Sequence, residues 1–395
     1  MTLPLDGIRV LALEQYGAGP YGTAHLADLG AEVIKIENRK TGGDMARSVG
    51  PYLLGENDSE FFQAFNKNKR SLSLDLTHPE GRGVFHRLVE TADALLGNLR
   101  GDLPERLEVT YEDLKSYNSR IVAVHLSGYG RDSDRKRWPG YDYLMQAEAG
   151  FMWLTGEPEA PPTRVGLSMV DFMAGTTAAM ALVSGVLQAR TTGRGRDMDV
   201  SLLDVAMHQL SYPAVWYLNE GLETDRAPRS GHPYIAPSQL YKTKDGWIFL
   251  MCQTHRFWEL LCDEIGRPEL KDAPDFKGYE ERRSNRDKLT EVLDSALSVR
   301  TTEEWMEAFA GKIPAAPVRT MAEALDAPHF RNRGGVVEVD HQNKPGLKLM
   351  NGPVRLDEPL PARPGPKLGA DTDSILDELG YDADAIASLR ANDVI

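Results

Sequence analysis

The sequence predicts an α/β fold built on a parallel sheet whose faces are covered by helices. Short apolar runs rich in Val, Ile and Leu recur through the first part of the chain, and helical stretches separate them. Parallel strands are typically apolar on both faces and need a crossover helix between them. A glycine-rich turn after the first run also favours this class, because it joins a strand to a helix.

Each element of the first domain follows from its residues. The first strand, residues 8–13, is the apolar run IRVLAL, and a helix at 21–30 follows the glycine-rich turn. A long helix at 172–190 is predicted from its Ala, Gly, Met and Val content, with Gly193 as its C-cap. The other strands are predicted over 31–37, 71–76, 94–96, 121–126 and 197–203, and the other helices over 78–90 and 203–219.

The second half of the chain has a different pattern. Three prolines between residues 226 and 239 predict a domain crossing. A β-hairpin is predicted at 241–251, with Asp245-Gly246 as its turn. Helices follow between residues 256 and 311, prolines interrupt the segment 314–366, and a last helix is predicted at 372–379.

The composition argues against several classes of protein. With 45 Lys and Arg against 59 Asp and Glu, the net charge is −14, so we expect no nucleic-acid partner. No apolar run approaches the roughly 18–20 residues of a membrane helix, and the first residues do not resemble a signal peptide, so we expect no membrane association. With only two cysteines and no ligand-like spacing of histidines, we expect no disulfide scaffold, no metal site and a cytoplasmic location.

The turn after the first strand matches a dinucleotide-binding fingerprint. Gly17, Gly19 and Gly22 have the spacing G-x-G-x-x-G, and Glu37 ends the next strand 20 residues after Gly17. A nicotinamide dehydrogenase is one hypothesis, although Pro20 removes an amide donor at the helix start. Two others stay open: a different nucleotide, and a tight turn that needs glycines whatever binds there.

Basic residues recur after the ends of two predicted strands. Arg39, Lys40 and Arg47 follow the second strand, and Arg100 and Arg106 follow the fourth. Because the carboxyl ends of parallel strands meet at one edge of the sheet, these residues could converge into an anion pocket. The alternative is that they are solvated surface charges, which is the usual state of any one of them.

Asp171 stands among apolar residues at the start of the long helix. One interpretation is a helix N-cap, whose oxygen accepts a backbone hydrogen bond. The other is a nucleophilic or general-base carboxylate. With an ordinary pKa of about 3.9, such a group is ionised at neutral pH without a helper base.

The chain as a whole resembles the class III CoA-transferase family. The resemblance covers essentially the entire chain and rests on short strings that occur in the family's order. These strings are Pro4–Leu11, Ala18–Pro20, Leu29–Glu37, Asn68–Ser71, Gly140–Tyr143, Gly193–Gly195, Asp199–Asp204, Gly231–Pro233 and Asp245–Gly246.

This resemblance implies a fold and an assembly. The family has a Rossmann-like large domain built from both chain ends, a smaller α+β domain from the middle, and two chains interlocked as a homodimer. The expected bounds are 1–205 for the large domain, 206–225 for a linker, 226–325 for the small domain and 326–395 for a return segment that completes the large domain.

The resemblance also implies a site. Asp171 matches the catalytic aspartate of the family. Arg39 and Leu74 match positions at the adenine end of CoA, and Tyr141 matches an active-site tyrosine. The full set expected to contact CoA is Tyr16, Ala18, Arg39, Leu74, Asn98, Leu99, Arg100, Arg106 and Tyr141.

The implied reaction moves CoA from an acyl-CoA to a free carboxylic acid, with a small dicarboxylic acid expected, through a mixed anhydride on Asp171. The CoA thioester is then a substrate, and no permanently bound cofactor is expected. Gly17 stands where the oxalate-specific enzyme has a glutamine, so formyl-CoA and oxalate are not the expected pair. The alternative is an α-methylacyl-CoA racemase, in which a histidine occupies the position of Tyr141.

Overall fold

The structure is a computed structural model and describes residues 3–358 and 361–395. Residues 1, 2, 359 and 360, which the sequence analysis assigns to the large domain, lie outside the described residues. The strands are β1 Arg9–Leu13, β2 Glu32–Glu37, β3 Leu53–Gly55, β4 Asp58–Ser59, β5 Arg70–Ser73, β6 Ala94–Gly97, β7 Val122–Ser127, β8 Arg196–Ser201, β9 Ser238–Lys242, β10 Trp247–Met251, β11 Ala315–Pro317, β12 Val336–His341 and β13 Lys344–Met350.

The helices follow the same chain order. They are α1 Ala18–Asp28, α2 Glu60–Asn66, α3 Pro79–Thr91, α4 Leu103–Arg106, α5 Tyr111–Leu114, α6 Asp142–Glu148, α7 Phe151–Leu154, α8 Met169–Thr192, α9 Leu202–Gln209, α10 Ser211–Glu220, α11 His255–Glu264, α12 Tyr279–Ser284, α13 Arg286–Leu297, α14 Thr302–Phe309, α15 Met321–Asp326, α16 Pro328–Asn332, α17 Thr372–Glu378 and α18 Ala383–Ala391. Short 3₁₀ helices lie at Arg39–Thr41, Met45–Ser48, Pro228–Ser230 and Pro268–Lys271.

Six of the described strands form one parallel sheet, in the spatial order β5-β2-β1-β6-β7-β8. Numbered along the chain, this order is 3-2-1-4-5-6, as in doubly wound nucleotide-binding folds. The order reverses between β1 and β6, and ligands bind outside the carboxyl ends of the strands at such a reversal. The predicted α/β class with a parallel sheet is confirmed.

The sheet is held by apolar packing, as its sequence indicates. Val10, Leu11 and Ala12 in β1 are fully buried. Part of the sheet packs against α3, α17 and α18, where Phe85 and Leu376 join the same apolar cluster as Leu11. Burying each such side chain contributes roughly 1.5–3 kcal/mol before conformational entropy is counted. Helices from residues 79–91 and from the C-terminal part of the chain therefore cover one region of the sheet.

Helices α1 and α8 approach each other closely at two glycines. A Cβ atom on Gly22 would lie 2.4 Å from the carbonyl oxygen of Gly175, and one on Gly175 would lie 2.3 Å from the carbonyl oxygen of Ala18. Only glycine leaves room for backbones at this separation. The contact places the start of α8 beside the start of α1, where the candidate site lies.

Helix α8 differs from its prediction in length and apolarity. It spans Met169–Thr192, and by length and composition alone it is apolar enough to cross a membrane. The sequence analysis did not identify such a run, because many of its residues are the small Ala and Gly. Half of its most apolar stretch is buried in the chain, and a core helix passes the same test.

By their internal contacts, the residues form two compact units. The first contains the chain up to Ala149, then Gly166–Ser211 and Asn332–Ile395. The second contains Gly150–Val165 and Tyr212–Arg331. Residues 150–165 thus group with the second unit, although the sequence analysis places them in the large domain. The predicted linker at 206–225 contains the end of α9 and all of α10.

The second unit has its own sheet and core. Strands β11, β10 and β9 form an antiparallel sheet, and the pairing of β9 with β10 confirms the predicted hairpin. Its core includes Tyr241, Ile248, Trp258 and Trp305, all nearly inaccessible to solvent.

The β12–β13 hairpin in the first unit was not predicted. The sequence analysis describes 314–366 as interrupted by prolines. One of them, Pro345, lies in β13 without a paired residue, beside the register irregularity between Val339 and His341.

Candidate active site

A cleft of about 240 Å³ lies at the carboxyl ends of β1, β6 and β7, beside the reversal in strand order. This is the edge where the doubly wound topology predicts a ligand. Seven of the expected site residues line it: Tyr16, Ala18, Asn98, Leu99, Arg100, Tyr141 and Asp171. Their convergence from four separate segments of the chain makes this cleft the candidate active site.

The turn between β1 and α1 forms one wall of the cleft. Asn98 fixes the turn by a reciprocal pair of bonds, in which Gln15 N–H donates to its Oδ1 at 2.8 Å and its Nδ2 donates to the carbonyl oxygen of Gln15 at 2.7 Å. Tyr16 has a positive φ of 68° and donates its N–H to Asp44 Oδ1 at 2.9 Å. Within the described residues, the N–H groups of Ala18 and Gly19 at the start of α1 donate to no protein acceptor.

Asp171 lies in the first turn of α8, and Ser168, not Asp171, occupies the N-cap position. Its carboxylate is so close to Gly17 that a Cβ atom on Gly17 would lie 2.7 Å from Asp171 Oδ2. Among the described residues no donor hydrogen-bonds to this carboxylate. The N-cap interpretation is therefore wrong, and the carboxylate is free to react with a ligand in the cleft.

Burial, and secondarily the negative charge of Asp142, raises the pKa of Asp171 to about 7. Asp142 is buried, and its Oδ2 accepts the backbone N–H of Asp171 at 3.0 Å. The sequence analysis expects Asp171 to be ionised at neutral pH from its ordinary pKa of about 3.9, and the raised pKa corrects this expectation.

Arginines gather at one end of the cleft around a single carboxylate. Arg100 Nε donates to Asp102 Oδ1 at 2.5 Å, and Arg106 Nη1 and Arg137 Nε lie 3.6 and 3.9 Å from Asp102 Oδ2. Three cations against one anion leave a net positive charge near the cleft. Arg137 was missed by the sequence analysis, although its turn-rich loop directly follows the end of β7.

The basic residues after β2 do not enter the cleft. Arg47 is buried and donates to Glu37 from Nε at 2.8 Å and from Nη2 at 2.7 Å. Lys40 Nζ donates to Asp75 at 3.1 Å. The predicted convergence of all these cations into one pocket is therefore wrong for Arg47 and Lys40, because nearby carboxylates pair with them.

Two further expected residues lie elsewhere on the same edge. Arg39 lines a separate cavity of about 350 Å³, together with Ser73 and Lys367. Leu74 is 1 % exposed and belongs to the apolar core. A third cavity, of about 190 Å³, shares Gln15 and Leu99 with the cleft and extends over β2. The cavities thus follow one another from Asp171 toward β5.

Glu37, the acidic residue of the dinucleotide-binding fingerprint, accepts hydrogen bonds from protein groups. Glu37 is 4 % exposed and accepts hydrogen bonds from Arg47, from Ser71 Oγ at 2.7 Å and from the Asp44 N–H at 3.0 Å. Burial alone would raise its pKa, but Arg47 and Lys35 outweigh burial and hold the pKa below its usual value. Its oxygens already accept hydrogen bonds from protein donors and are not left free for a ribose, so the geometry argues against a nicotinamide cofactor.

No group of three or more His, Cys, Asp or Glu side chains within residues 3–358 and 361–395 is arranged to hold a metal ion. The polar groups that line the cleft include the Asp171 carboxylate, Arg100 and the phenols of Tyr16 and Tyr141.

Comparison with known proteins identifies the family. Residues 5–372 match the family model described as CoA-transferase family III. The chain is 32 % identical over 390 residues to a succinyl-CoA:mesaconate CoA-transferase of Haloarcula hispanica, covering 95 % of this chain and 96 % of that protein. It is 34 % identical over 372 residues to an acetyl-CoA:oxalate CoA-transferase of Acetobacter aceti, covering 92 % and 93 %.

A solved structure supports the same assignment. The crystal structure of a CAIB/BAIF family protein from Brucella suis superposes with a TM-score of 0.82 at 30 % identity, covering 96 % of this chain and 100 % of that one. The chain therefore belongs to CoA-transferase family III and is an enzyme of that family.

Proposed function

We propose that this enzyme moves CoA from an acyl-CoA to a small dicarboxylic acid through a covalent mixed anhydride on Asp171. The observation that carries the proposal is the Asp171 carboxylate, which lies in the cleft against Gly17 and accepts no hydrogen bond from residues 3–358 or 361–395. A carboxylate paired with a cation is a weak nucleophile, whereas an unpaired one at the start of a helix is available to attack.

The cavities along the sheet edge suggest how CoA lies. The thioester occupies the cleft beside Asp171, and the phosphates interact with the arginines around Asp102. The adenosine end extends over β2 toward Arg39. Adjacent strands are about 4.8 Å apart, so β6 and β5, which are three spacings apart in the sheet, lie about 14 Å apart. Leu74 then supports the adenine pocket from the core.

The reaction proceeds without a general base. An ionised Asp171 oxygen attacks the thioester carbonyl, the C–S bond breaks, and CoA leaves as the thiolate. The thiolate attacks the aspartyl carbonyl, which releases the donor acid and leaves an aspartyl thioester. The acceptor carboxylate displaces the thiolate to form a second anhydride, and the thiolate then takes the acceptor acyl group, restoring the Asp171 carboxylate.

The N-terminus of α1 is suited to stabilise the negative charge that develops on the carbonyl oxygen during these attacks. The N–H groups of Ala18 and Gly19 donate to no acceptor in the described part of the chain, and they lie at the positive end of a helix, beside Asp171. Donors placed at a developing oxyanion contribute about 10²–10³ in rate each. The anhydride also requires a site that excludes water, since it hydrolyses readily.

The acceptor class is proposed from the relatives, whose names specify mesaconate and oxalate, both dicarboxylates. We also propose that the enzyme is a cytoplasmic homodimer of the interlocked type, without a permanently bound cofactor, nucleic-acid partner or membrane association. Supporting the dimer, Met180 and Leu187 on α8 are 64 % and 67 % exposed, and a second copy of the chain would cover this apolar face.

The test is a transfer assay with defined acyl-CoAs and free acids. Succinyl-CoA and acetyl-CoA are incubated with mesaconate, succinate, glutarate or oxalate, and the thioester products are identified by mass spectrometry. Quenching with hydroxylamine should convert an activated Asp171, whether anhydride or thioester, into its hydroxamate, which peptide mapping by mass spectrometry detects. Asp171→Asn should lower transfer at least about 10⁴-fold while CoA binding remains measurable by calorimetry.

Glu148→Gln is the matched control, because Glu148 is an exposed carboxylate on α6. It should transfer CoA at the wild-type rate. Retained transfer in Asp171→Asn would contradict the mechanism. Deuterium incorporation at the α-carbon without transfer would instead favour the racemase alternative.

A further inference from the structure

A second carboxylate lies behind the proposed nucleophile. Asp142 is the first residue of α6 and is 5 % exposed. Its Oδ2 accepts the backbone N–H of Asp171 at 3.0 Å, and its Oδ1 accepts from Gln146 Nε2 at 2.6 Å. Gln146 Nε2 also donates to the carbonyl oxygen of Leu167 at 3.1 Å. Asp142 therefore joins the start of α6 to the start of α8.

Asp142 is held in place from the opposite side by close backbone packing. A Cβ atom on Gly140 would lie 2.4 Å from the Cα of Gly128, so the chain entering α6 presses against the residue that follows β7. The carboxylate of Asp142 thus has a fixed position relative to the sheet edge. Within the described residues, no Lys, Arg or His forms an ion pair with it.

We propose that Asp142 is a positioning residue for acylation, which holds the backbone of Asp171 and, through its negative charge, favours the uncharged acylated state of Asp171. The inference rests on the proposed function. While Asp171 is ionised, two anions share a poorly solvated site, and their repulsion opposes the ionised state. When Asp171 becomes an anhydride its charge is gone, so the repulsion is relieved and attack is favoured.

The charge environment supports this role. The pKa of Asp171 is raised to about 7 by burial and by Asp142. Other titratable groups on the elements around Asp171 include Tyr16, Arg100 and Tyr141 at the cleft, Tyr21 and His25 on α1, Glu148 on α6 and Asp204 on α9. The charged group that shifts the pKa of Asp171 is Asp142.

The test is the pH dependence of a single acylation turnover. Wild type is mixed with the acyl-CoA that the transfer assay identifies, and CoA release is followed with a thiol-reactive disulfide that works at acid pH. Asp142→Asn keeps an amide oxygen that can accept the Asp171 N–H, but removes the charge. The pH at which its rate of CoA release is half-maximal should lie about one pH unit below that of wild type.

The predicted signature is a crossing of the two profiles. When the pKa of a nucleophile falls by one unit, the rate at which its ionised form attacks falls about threefold, if the Brønsted coefficient of thiolates also applies to a carboxylate. Asp142→Asn should therefore release CoA about threefold more slowly than wild type at pH 9, and about threefold faster at pH 5, where more of its Asp171 is ionised. A purely structural role would lower the rate equally at every pH.

Two further variants complete the test. Asp142→Glu retains the charge and should keep the wild-type midpoint, even where its longer side chain lowers the rate. Glu148→Gln on the same helix should not move the midpoint. Profiles of Asp142→Asn and wild type that are parallel would overturn the inference while leaving Asp171 as the nucleophile. If wild type releases no CoA with any acyl-CoA, the proposed function itself fails.

Discussion

Two carboxylates on the same edge of the sheet, one buried and one partly buried, differ in whether protein groups pair with their charge. Glu37 at the end of β2 receives hydrogen bonds from Arg47, Ser71 and a backbone amide, and its pKa lies below the usual value. Asp171 at the start of α8 receives none from the residues that the structure describes, and its pKa rises to about 7. Burial acts on both groups in the same direction, so their partners account for the difference.

This contrast separates a structural carboxylate from a reactive one. The chain places cations beside Glu37 and Asp44, where Lys35 Nζ lies 2.8 Å from Asp44 Oδ2. These pairs brace the loop that carries Tyr16 into the cleft. At Asp171 the neighbouring charge has the same sign instead. A buried ionisable group whose charge is left uncompensated, in a cleft, indicates a functional site.

The largest expected effect comes from removing the cation beside Glu37. Arg47→Met should lower the free energy of unfolding by about 3–5 kcal/mol at pH 7, because it leaves a buried charge without a partner. Denaturant unfolding measures the loss. The difference from wild type should shrink below about pH 4, since the stabilising contribution of a carboxyl with a lowered pKa disappears as the group is protonated.

Lys115→Met is the control, because Lys115 and Glu112 form an exposed pair. Its unfolding free energy should change by less than about 1 kcal/mol. If the free energy of unfolding fell equally in the two variants, the buried Arg47–Glu37 pair would contribute no more to stability than an exposed pair.

The next largest effect is expected from a variant that crowds Asp171, the carboxylate without a cationic partner. In Gly17→Ala the new Cβ would lie 2.7 Å from Asp171 Oδ2, so the carboxylate must move. Misplacing a reacting group by about 1 Å costs about 10² in rate, so transfer should fall by that order while stability changes little. The assay is the thioester exchange above.

Gly83→Ala gives a matched control. A Cβ on Gly83, in the exposed part of α3, meets nothing within 4 Å. This variant should keep full activity and gain about 0.5–1 kcal/mol in stability. Full activity in Gly17→Ala would show that the close approach to Asp171 is not needed.

A smaller effect concerns stability against pH. A carboxyl whose pKa is raised from about 3.9 to about 7 destabilises the fold once it is ionised, and the penalty grows as pH rises between these values. Asp171→Asn should remove this penalty and be more stable than wild type by about 1–3 kcal/mol at pH 8, allowing for partial solvent exposure. At pH 4 the two should be nearly equal.

Thermal unfolding at both pH values measures this difference. A constant difference between the two proteins from pH 4 to pH 8 would mean that Asp171 is not held above its ordinary pKa.

Much of the fold could be predicted because its signals are local. The apolar run at 8–13 became β1, the pattern at 31–37 became β2, and the stretch at 172–190 became the middle of α8. The family resemblance predicted that residues of the β1–α1 turn and of the turn after β6 share a site with Asp171, and the shared edge of parallel strands predicted that segments following strand ends could converge. The cleft includes both turns.

Other features could not be predicted, because they depend on pairing through space. Arg47 and Arg100 both follow strands and are indistinguishable by sequence, yet one is buried against Glu37 and the other lines the cleft. The role of Gly22 in the α1–α8 contact also needs its partner Gly175, more than a hundred residues away. Residues 150–165 group with the second unit for a similar reason, since the contacts of that segment are with distant residues.

The sequence by itself determined the order of strands and helices, the glycines of the first turn and the presence of an aspartate at the start of α8, since these depend on local propensity and pattern. Only the tertiary structure decided which carboxylates are paired. Asp142 and Asp171 are 29 residues apart in the sequence, and their contact exists because α6 and α8 begin side by side. Burial and neighbouring charge set the pKa of a side chain, and both are properties of the folded chain.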